Sequence, residues 1–485
     1  MLTDSAVCGV GQAISIDILP DDVLLAIFDF FVNRDVVDDI CFWPFYAKIK
    51  EVMVPWQSLV HVCRRWRGIV FGSPRRLGLR LVFKFKMPAS DTLNLWPALP
   101  LLIYVGDRIS QTEDVDNIIT VLERRDRVNE IYLCNFDSSP TETVLAAMQE
   151  PFPELTHLLL RSTNPLPALP DSFLGGSAPR LRHLWLTHIL SPSLPKLLLS
   201  ATHLVSLRLE QIPYSEYISP EAMVIALSTS TSLRSLILIF HYTRSRPDWT
   251  NRRPPPPTRT VLHALKRISF EGVSEYLDDL FARIDAPRLE TLFIFFVKIL
   301  SDTPQFIQFI SRMPMLRTFR RAWISFGNGL AVVDISSGTS PNKMLQLEVS
   351  YLPPQVSYLG RVFTPTLRTL STLEDLYIIQ EPQYFHRRGE IENTLWLELL
   401  RPFSFVKNLY LGEEFIPRIG SVLQEPVGER TTEVLPNLQN IFLERLQPSG
   451  PVPKGIGQFV TMRQVNGHPI AVSRWDTLKP WQLAF

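Results

Sequence analysis

The chain has 485 residues, more than one hydrophobic core usually organises, so we expect several domains or a repeat array. Hydrophobic residues make up 46% and charged residues 20%, which excludes the disordered and collagen-like classes of protein. The 49 basic residues are balanced by 48 acidic ones, and a net charge of +1 attracts neither nucleic acid nor an anionic membrane over long range.

The cysteines and the lengths of the apolar runs indicate the cellular compartment in which the protein is expected. The four cysteines form no CxxC pair, which predicts neither a disulfide framework nor a zinc site. The N-terminal residues lack a basic segment followed by an apolar one. Apolar runs such as 292–297 are far shorter than the roughly 20 residues of a membrane span. We therefore expect a protein of the cytoplasm, the nucleus or both, outside the membrane.

Residues 14–90 are predicted to form an all-α module, after a flexible N-terminus at 1–13. Pro20 suits the first turn of a helix, where Asp21 and Asp22 complement the positive end of the helix dipole. The apolar residues that follow recur at helical spacing: Val23, Leu24, Ile27, Phe28 and Phe31. A second set predicts one further helix that ends near Gly72: Leu59, Val60, Cys63 and Trp66. We expect the two helices to pair as a hairpin.

The segments LPDDVLLAIFDFF and SLVHVCRRWRGIV carry a family resemblance. Leu-Pro, acidic residues, an aliphatic and Phe-containing helix and then Val-Cys-x-x-Trp are similar to the F-box pattern, over about residues 16–72. An insertion-like stretch at 36–55 lengthens the module relative to the usual F-box. The resemblance implies docking on a Skp-family adaptor, and through it on a cullin scaffold, by these residues: Leu19, Pro20, Val23, Leu24, Ile27, Val60, Cys63 and Trp66. Alternatively, these residues only seal the hairpin and pack on the first repeat.

Residues 52–90 contain no Asp or Glu but eight basic side chains: Arg64, Arg65, Arg67, Arg75, Arg76, Arg80, Lys84 and Lys86. Such a basic stretch suits an acidic protein surface or a phosphate group. A solvated helix face is the alternative interpretation.

Residues 91–450 contain an internal repeat, apolar-x-x-apolar-x-apolar, which recurs about twelve times. Successive units start about 23 to 33 residues apart, at Val128, Leu155, Leu181, Leu204, Leu233, Leu265, Leu289, Leu316, Met344, Leu373, Val406 and Leu438. The core of each unit predicts a short strand with its leucines pointing inward. One unit alone cannot bury its apolar side, so neighbouring units are expected to stack in a parallel sheet.

This repeat resembles that of leucine-rich repeat proteins. The resemblance implies an α/β solenoid with parallel strands on a concave face and helices and loops on the convex face. Together with the N-terminal module, the chain is similar to fungal F-box proteins with degenerate leucine-rich repeats, which implies the substrate-recognition subunit of an SCF-type E3 ubiquitin ligase. A parallel β-helix is the alternative fold. A repeat scaffold that binds protein without a ubiquitin-ligase role is the alternative function.

Side chains between the inward leucines are predicted to line the concave face. The central column of this face is predicted to be Tyr132, Leu159, Trp185, Arg208, Ile237, Ser269, Phe293, Arg320, Glu348, Tyr377, Tyr410 and Phe442. Exposed aromatic and Arg residues are frequent anchors of protein interfaces. The predicted target-binding set is therefore Tyr132, Trp185, Arg208, Phe293, Tyr377 and Tyr410. Alternatively, aromatic side chains in a curved sheet only stack on one another.

Two further segments depart from the repeat. The Pro- and Arg-rich stretch at 241–260 predicts a surface loop, either a ligand for a proline-reading domain or a linker. Residues 451–485 are predicted to cap the array, with Trp475, Trp481 and Phe485 covering the last repeat.

The sequence contains none of the motifs GxxxxGK[ST], HExxH, GxSxG or GxGxxG. His157 and His183 stand at equivalent positions of adjacent units, but no third ligand accompanies them. We therefore predict no enzymatic activity, no catalytic residue, no metal and no cofactor. The expected partner is an unknown target protein rather than nucleic acid.

Overall fold

A computed structural model describes residues 16–32, 55–84, 88–106, 112–136, 138–162, 169–188, 193–212, 218–240, 258–298, 303–327, 330–337, 344–350, 357–360, 362, 372–380, 392–424, 434–446 and 450–475. The predictions for 1–13, for 36–54, for 241–257 and for Trp481 and Phe485 lie outside the described residues. The chain divides into two units, Met1–Asn135 and Phe136–Phe485. Each unit is described by itself.

The first unit begins with helices. Its elements are a 3-10 turn (Ile16–Ile18), α1 (Asp21–Val32), α2 (Pro55–Val60) and α3 (Arg64–Gly72). Helix α1 packs against both α2 and α3. Its buried side is formed by Leu24 and Phe28, whose ring lies 4.7 Å from that of Trp66. The predicted pairing of apolar helices is therefore present in this unit.

The prediction of one continuous second helix is wrong. Residues 61–63 separate α2 from α3. Cys63 has extended backbone, with φ −157° and ψ 170°, and its Sγ accepts a hydrogen bond from the Trp66 N–H at 3.4 Å. Cys63 thus caps the start of α3, and an extended residue at this point prevents α2 from continuing.

Three parallel strands complete the first unit. The elements are β1 (Leu81–Lys84), α4 (Ala89–Asn94), β2 (Leu101–Val105), α5 (Thr112–Leu122) and β3 (Val128–Phe136). The strands pair in the order β1-β2-β3. Two strands, β1 and β2, therefore precede Val128, where the sequence pattern places the start of the first repeat. The pattern misses β2 because Leu101, Leu102, Ile103 and Val105 are all buried, so the strand lacks alternation.

The second unit alternates strands with helices. Its strands are β4 (His157–Ser162), β5 (His183–Thr187), β6 (Ser206–Ile212), β7 (Ser235–Phe240), β8 (Thr260–Val261), β9 (Arg267–Val273), β10 (Ile284–Asp285), β11 (Thr291–Lys298), β12 (Arg321–Gly327), β13 (Leu330–Ser336), β14 (Met344–Ser350), β15 (Asp375–Gln380), β16 (Asn408–Leu411), β17 (Asn440–Glu444) and β18 (Ala471–Trp475). Its α-helices are α6 (Ser138–Ala147), α7 (Leu194–Ser200), α8 (Pro220–Leu227), α9 (Ser274–Arg283), α10 (Pro304–Ser311), α11 (Asn393–Leu400), α12 (Ile416–Gln424) and α13 (Lys454–Val465). Short 3-10 segments lie at Phe173–Gly176, Pro314–Thr318 and Glu413–Phe415.

The strands of the second unit form one large sheet in the order β4-β5-β6-β7-β9-β11-β14-β13-β12-β15-β16-β17-β18, beside a small parallel pair of β8 and β10. Strand β13 is antiparallel to both of its neighbours, and the other paired strands of the large sheet run parallel. The predicted α/β class with a parallel repeat sheet is confirmed at this level.

In strands such as β6 and β9, alternate side chains are buried, as the repeat predicts. On β6, Leu207 and Leu209 are buried whereas Ser206 and Arg208 are half-buried. The buried side chains meet the helices: the ring of Phe296 on β11 lies 5.7 Å from that of Phe306 on α10. The alternate, half-buried residues lie on the opposite face of the sheet, which we call the open face.

The strand pairing corrects the predicted positions of two repeats, those that start at Leu316 and Met344. Strand β14 lies next to β11, antiparallel β13 follows, and β12 pairs with β15. Arg320 therefore precedes β12, and Trp323 takes the central position beside Tyr377. In β14 the partner of Phe293 is Gln346, not Glu348. A period of two fits either frame, so the repeat alone could not choose the pairing.

In the described ranges, no helix combines the length and apolarity needed to cross a membrane. The predicted domain limits stay predictions. Within 14–90 the structure describes β1 as well as α1, α2 and α3, so the prediction of an all-α module is wrong at Leu81–Lys84, which pairs with the next strand. Within 451–485 it describes α13 and β18.

Leu207→Ala tests the buried ladder. Leu207 is 0% exposed, and its truncation should lower the free energy of unfolding by about 2–5 kcal/mol, measured by urea denaturation. Ser206→Ala, on the open face of the same strand, should change it by less than about 1 kcal/mol. Equal losses in the two variants would contradict the assignment of the buried face.

Candidate protein-binding surfaces

Helix α1 has apolar residues on more than its buried side. Leu24 is 0% exposed and faces the unit's interior, whereas Phe30 is 69% exposed. The exposed apolar side chains of this region form what we call the α1 surface: Ile16, Ile18, Val23, Ile27, Phe30, Phe31 and Val62. Soluble proteins that expose several large apolar residues together commonly use them to bind a partner.

The eight residues predicted to contact an adaptor fall into different environments. Pro20, Val23 and Ile27 are exposed and Leu19 is half-buried. Leu24 and Val60 are buried, Cys63 caps α3, and Trp66 packs on Phe28. Some of the residues that match the family pattern therefore stabilise their own unit, and the others remain accessible. The exposed Phe30 and Val62 were missed, although the width of the apolar stripe on α1 was a signal for Phe30.

An ion pair holds the start of α1 against α3. Arg65 Nε and Nη2 lie 2.9 Å and 2.6 Å from Asp21 Oδ1, and Nη2 also donates to the carbonyl oxygen of Leu19 at 2.5 Å. Because both side chains are partly exposed, this pair contributes little stability by itself. Its effect is geometric, since it fixes the Leu19-Pro20 entry to the helix.

The basic stretch divides into paired and exposed cations. Like Arg65, Arg80 forms an ion pair, in this case with Glu130. Glu130 also accepts a hydrogen bond from the Tyr132 hydroxyl at 2.8 Å. The exposed basic side chains among the described residues are Arg64, Arg67, Arg75, Arg76 and Lys84. These charges lie in the same unit as the α1 surface and suit an acidic rim on a partner.

On the open face, strands β5 and β6 carry a pre-organised cluster. The guanidinium of Arg208 lies 4.0 Å from the ring centroid of Trp185. Glu210 accepts from Arg208 Nε at 2.6 Å and from Trp185 Nε1 at 3.0 Å, and Thr187 Oγ1 donates to the same carboxylate at 3.2 Å. The carboxylate thus fixes both predicted anchors, which lowers the conformational entropy lost on binding.

The two equivalent histidines are adjacent, as their repeat positions predict. The rings of His157 and His183 stack at 4.4 Å with an angle of 12°. Thr156 Oγ1 lies 2.9 Å from His157 Nδ1. Over the part of the chain that the structure describes, no group of three or more His, Cys, Asp or Glu side chains is arranged to hold a metal ion.

Four aromatic rings form a continuous stack farther along the open face, which we call the aromatic row: Trp323, Tyr377, Tyr410 and Phe442. Successive ring centroids are 5.2, 4.2 and 4.5 Å apart, with angles of 16°, 10° and 9°. The ring of Trp475, on the last strand, lies 5.8 Å from Tyr377 and 5.6 Å from Tyr410, inclined at 60° and 70°. The rings of the aromatic row therefore stack face to face, and the edges of Tyr377 and Tyr410 contact the ring of Trp475.

A row of polar side chains runs beside the aromatic row, two residues earlier on each strand. Arg321 Nε lies 3.6 Å from Asp375 Oδ2, and Asn408 Nδ2 donates to Asp375 Oδ1 at 2.8 Å. Asn440 Nδ2 donates to Asn408 Oδ1 at 2.8 Å. These contacts cross four neighbouring strands and hold the register of the aromatic row.

Both tyrosines of the aromatic row remain protonated under neutral conditions. Burial raises the pKa of Tyr377 well above its ordinary range, and the neighbouring Tyr410 and Asp375 raise it further. Burial, followed by the charge of Asp375, also raises the pKa of Tyr410. The row thus presents neutral hydroxyl groups and ring edges.

The other predicted target-binding residues differ in accessibility. Tyr132 is only 4% exposed, and burial together with Glu130 raises the pKa of its hydroxyl. Phe293 is half-buried on the open face, between Ser269 and Gln346. The open face of the second unit therefore offers Trp185, Arg208, Phe293, Tyr377 and Tyr410, whereas Tyr132 is buried within the first unit.

No protein-family model matches the sequence, and comparison with curated proteins finds none that is significantly similar. Among solved structures, the chain is similar to the leucine-rich repeat-containing protein LegL7 from Legionella pneumophila. The two are 12% identical, and the match covers 73% of this chain and 94% of LegL7 with a TM-score of 0.25. A TM-score this low does not establish a common fold or function.

The raised tyrosine pKa values predict an alkaline loss of stability. Because the unfolded tyrosines release their protons first, near pH 10, folding is supported fully below about pH 10 and progressively less as the pH rises toward the folded-state values. Between about pH 9 and pH 11, the free energy of unfolding should fall less in the double variant Tyr377→Phe, Tyr410→Phe than in the parent chain. Urea denaturation across this range measures it, and identical pH profiles would contradict the burial of the two hydroxyls.

Proposed function

We propose that this chain is a non-enzymatic receptor that joins two proteins: its α1 surface binds a Skp-family adaptor, and its open face, of leucine-rich repeat type, binds a target. It would then act as the substrate-recognition subunit of an SCF-type E3 ubiquitin ligase. The observation that carries this proposal is the α1 surface, where a helix with one buried side leaves a second apolar side exposed.

The exposed apolar side of α1 can contribute binding free energy when a partner covers it. Val23, Ile27 and Phe31 lie on one side of α1, and burying an apolar side chain of this size contributes roughly 1.5–3 kcal/mol. A helix that presents apolar residues at this spacing is a common form of partner recognition. A partner that covered these residues would gain most of its affinity from apolar contact.

The choice of a Skp-family adaptor comes from the resemblance of LPDDVLLAIFDFF and SLVHVCRRWRGIV to the F-box. The contacts of Arg65 with Asp21 and Leu19 support it, because they order the Leu-Pro entry before any partner binds. On the open face, the anchors Trp185 and Arg208 are held in place in the same way. Pre-ordered anchors suit recognition of a folded or extended protein target.

A protein-binding scaffold without a ligase role is the second candidate. It is favoured by the use of Leu24, Val60, Cys63 and Trp66 inside their own unit, since half of the matched residues then have a structural explanation. In that case the α1 surface would bind a different protein.

Ile27→Asp distinguishes the candidates. In the full-length chain it should weaken binding to a purified Skp-family adaptor at least about 10-fold, because a carboxylate would replace an apolar contact. Isothermal titration calorimetry measures the affinity, and circular dichroism verifies folding. The control Asp22→Asn also changes the charge of α1 by one, but at a position away from the apolar side. This variant should bind the adaptor with the affinity of the parent chain. Failure of the parent chain to bind would favour the scaffold.

A further inference from the structure

We infer that the aromatic row is a recognition slot for an aromatic side chain of a peptide segment in the target, and that Trp475 of the chain's own last strand occupies this slot. This inference rests on the proposed role of the open face in target binding. It does not depend on the adaptor role of α1.

The position of Trp475 is the first argument. Trp475 belongs to β18 and pairs in register with Glu444 of β17. Its ring nevertheless contacts Tyr410 on β16 and Tyr377 on β15. The side chain thus extends across the open face over two intervening strands.

The ring geometry indicates the kind of ligand. The faces of Tyr377 and Tyr410 are stacked on their neighbours, so their edges and hydroxyl groups border the slot. Aromatic edges carry partial positive charge and favour the negative face of another ring, and the 60° and 70° inclinations of Trp475 fit such contacts. Because both tyrosines are neutral, the slot favours an uncharged ring, and indole has the largest such face.

The strand that supplies Trp475 buries few of its own side chains. Ile470 is buried, but Ala471, Ser473 and Arg474 are exposed and Val472 is only half-buried. Strand β18 is the last in the sheet order and pairs with β17. A segment with few buried apolar contacts opens at low cost in free energy, so a peptide could displace Trp475 without unfolding the sheet.

Polar groups beside the aromatic row suit a peptide backbone. Asp375, Asn408 and Asn440 run parallel to the aromatic row and are linked by hydrogen bonds of 2.8 Å. Side-chain amides can donate to and accept from a backbone that lies across the strands. The occupant is therefore a peptide with an aromatic residue, rather than an isolated hydrophobic molecule.

Trp475→Ala in the full-length chain tests the inference. The probes are N-acetyl-L-tryptophanamide and the peptide acetyl-AVSRW-amide, with N-acetyl-L-alaninamide as the negative probe, and NMR titration measures binding. The variant should bind both tryptophan probes at least about 10-fold more tightly than the parent chain does, because the slot is vacated. Ser473→Ala, an exposed position of the same strand, should bind like the parent. Adding Tyr410→Ala to Trp475→Ala should abolish the gain.

Equal binding by the parent and the Trp475→Ala variant, or a gain that survives Tyr410→Ala, would overturn the inference. If Trp475→Ala does not fold, amide hydrogen exchange on the parent chain decides instead. Saturating acetyl-AVSRW-amide should accelerate exchange at 471–475, and unchanged exchange would overturn the inference. Since neither measurement involves the adaptor, failure here leaves the α1 proposal standing, and loss of adaptor binding leaves this result unaffected.

Discussion

The alternation of buried and half-buried side chains along strands such as β6 is the constraint on which the second unit depends. Leu207 and Leu209 are buried, so Arg208 between them lies on the open face. Parallel pairing then aligns these intervening residues from strand to strand. The stack of the aromatic row and the polar row beside it follow from this alignment, because each row repeats one strand position.

The two proposed binding surfaces differ in what a partner must do. On α1, a partner would cover apolar side chains such as Ile27 that now face solvent, and its affinity would come from removing them from water. On the open face, the prominent side chains already contact one another, as in the Trp185, Arg208 and Glu210 cluster. A target there would have to match a pre-ordered surface or replace an internal contact, as at Trp475.

Local sequence signals failed where a segment satisfied two patterns at once. The apolar stripe of α2 and α3 runs through Cys63, but the thiol caps a new helix start. The segments of β12 and β14 both alternate correctly, yet β13 inserts between them in the sheet. In both cases the local period matches the structure, but the backbone conformation of one residue or the pairing of distant strands determines the element that forms.

The sequence by itself determined most of the repeat strands with their inward leucines, the apolar character of α1 and the adjacency of His157 and His183, because each depends on residue spacing within one element or between neighbouring repeats. Only the tertiary structure decided the order of β11 to β15, the division of α1 into a buried and an exposed side, and the reach of Trp475 to Tyr377. The physical reason is that periodicity encodes which side of an element is apolar, whereas its partner is selected by packing and hydrogen bonding between residues far apart in the chain.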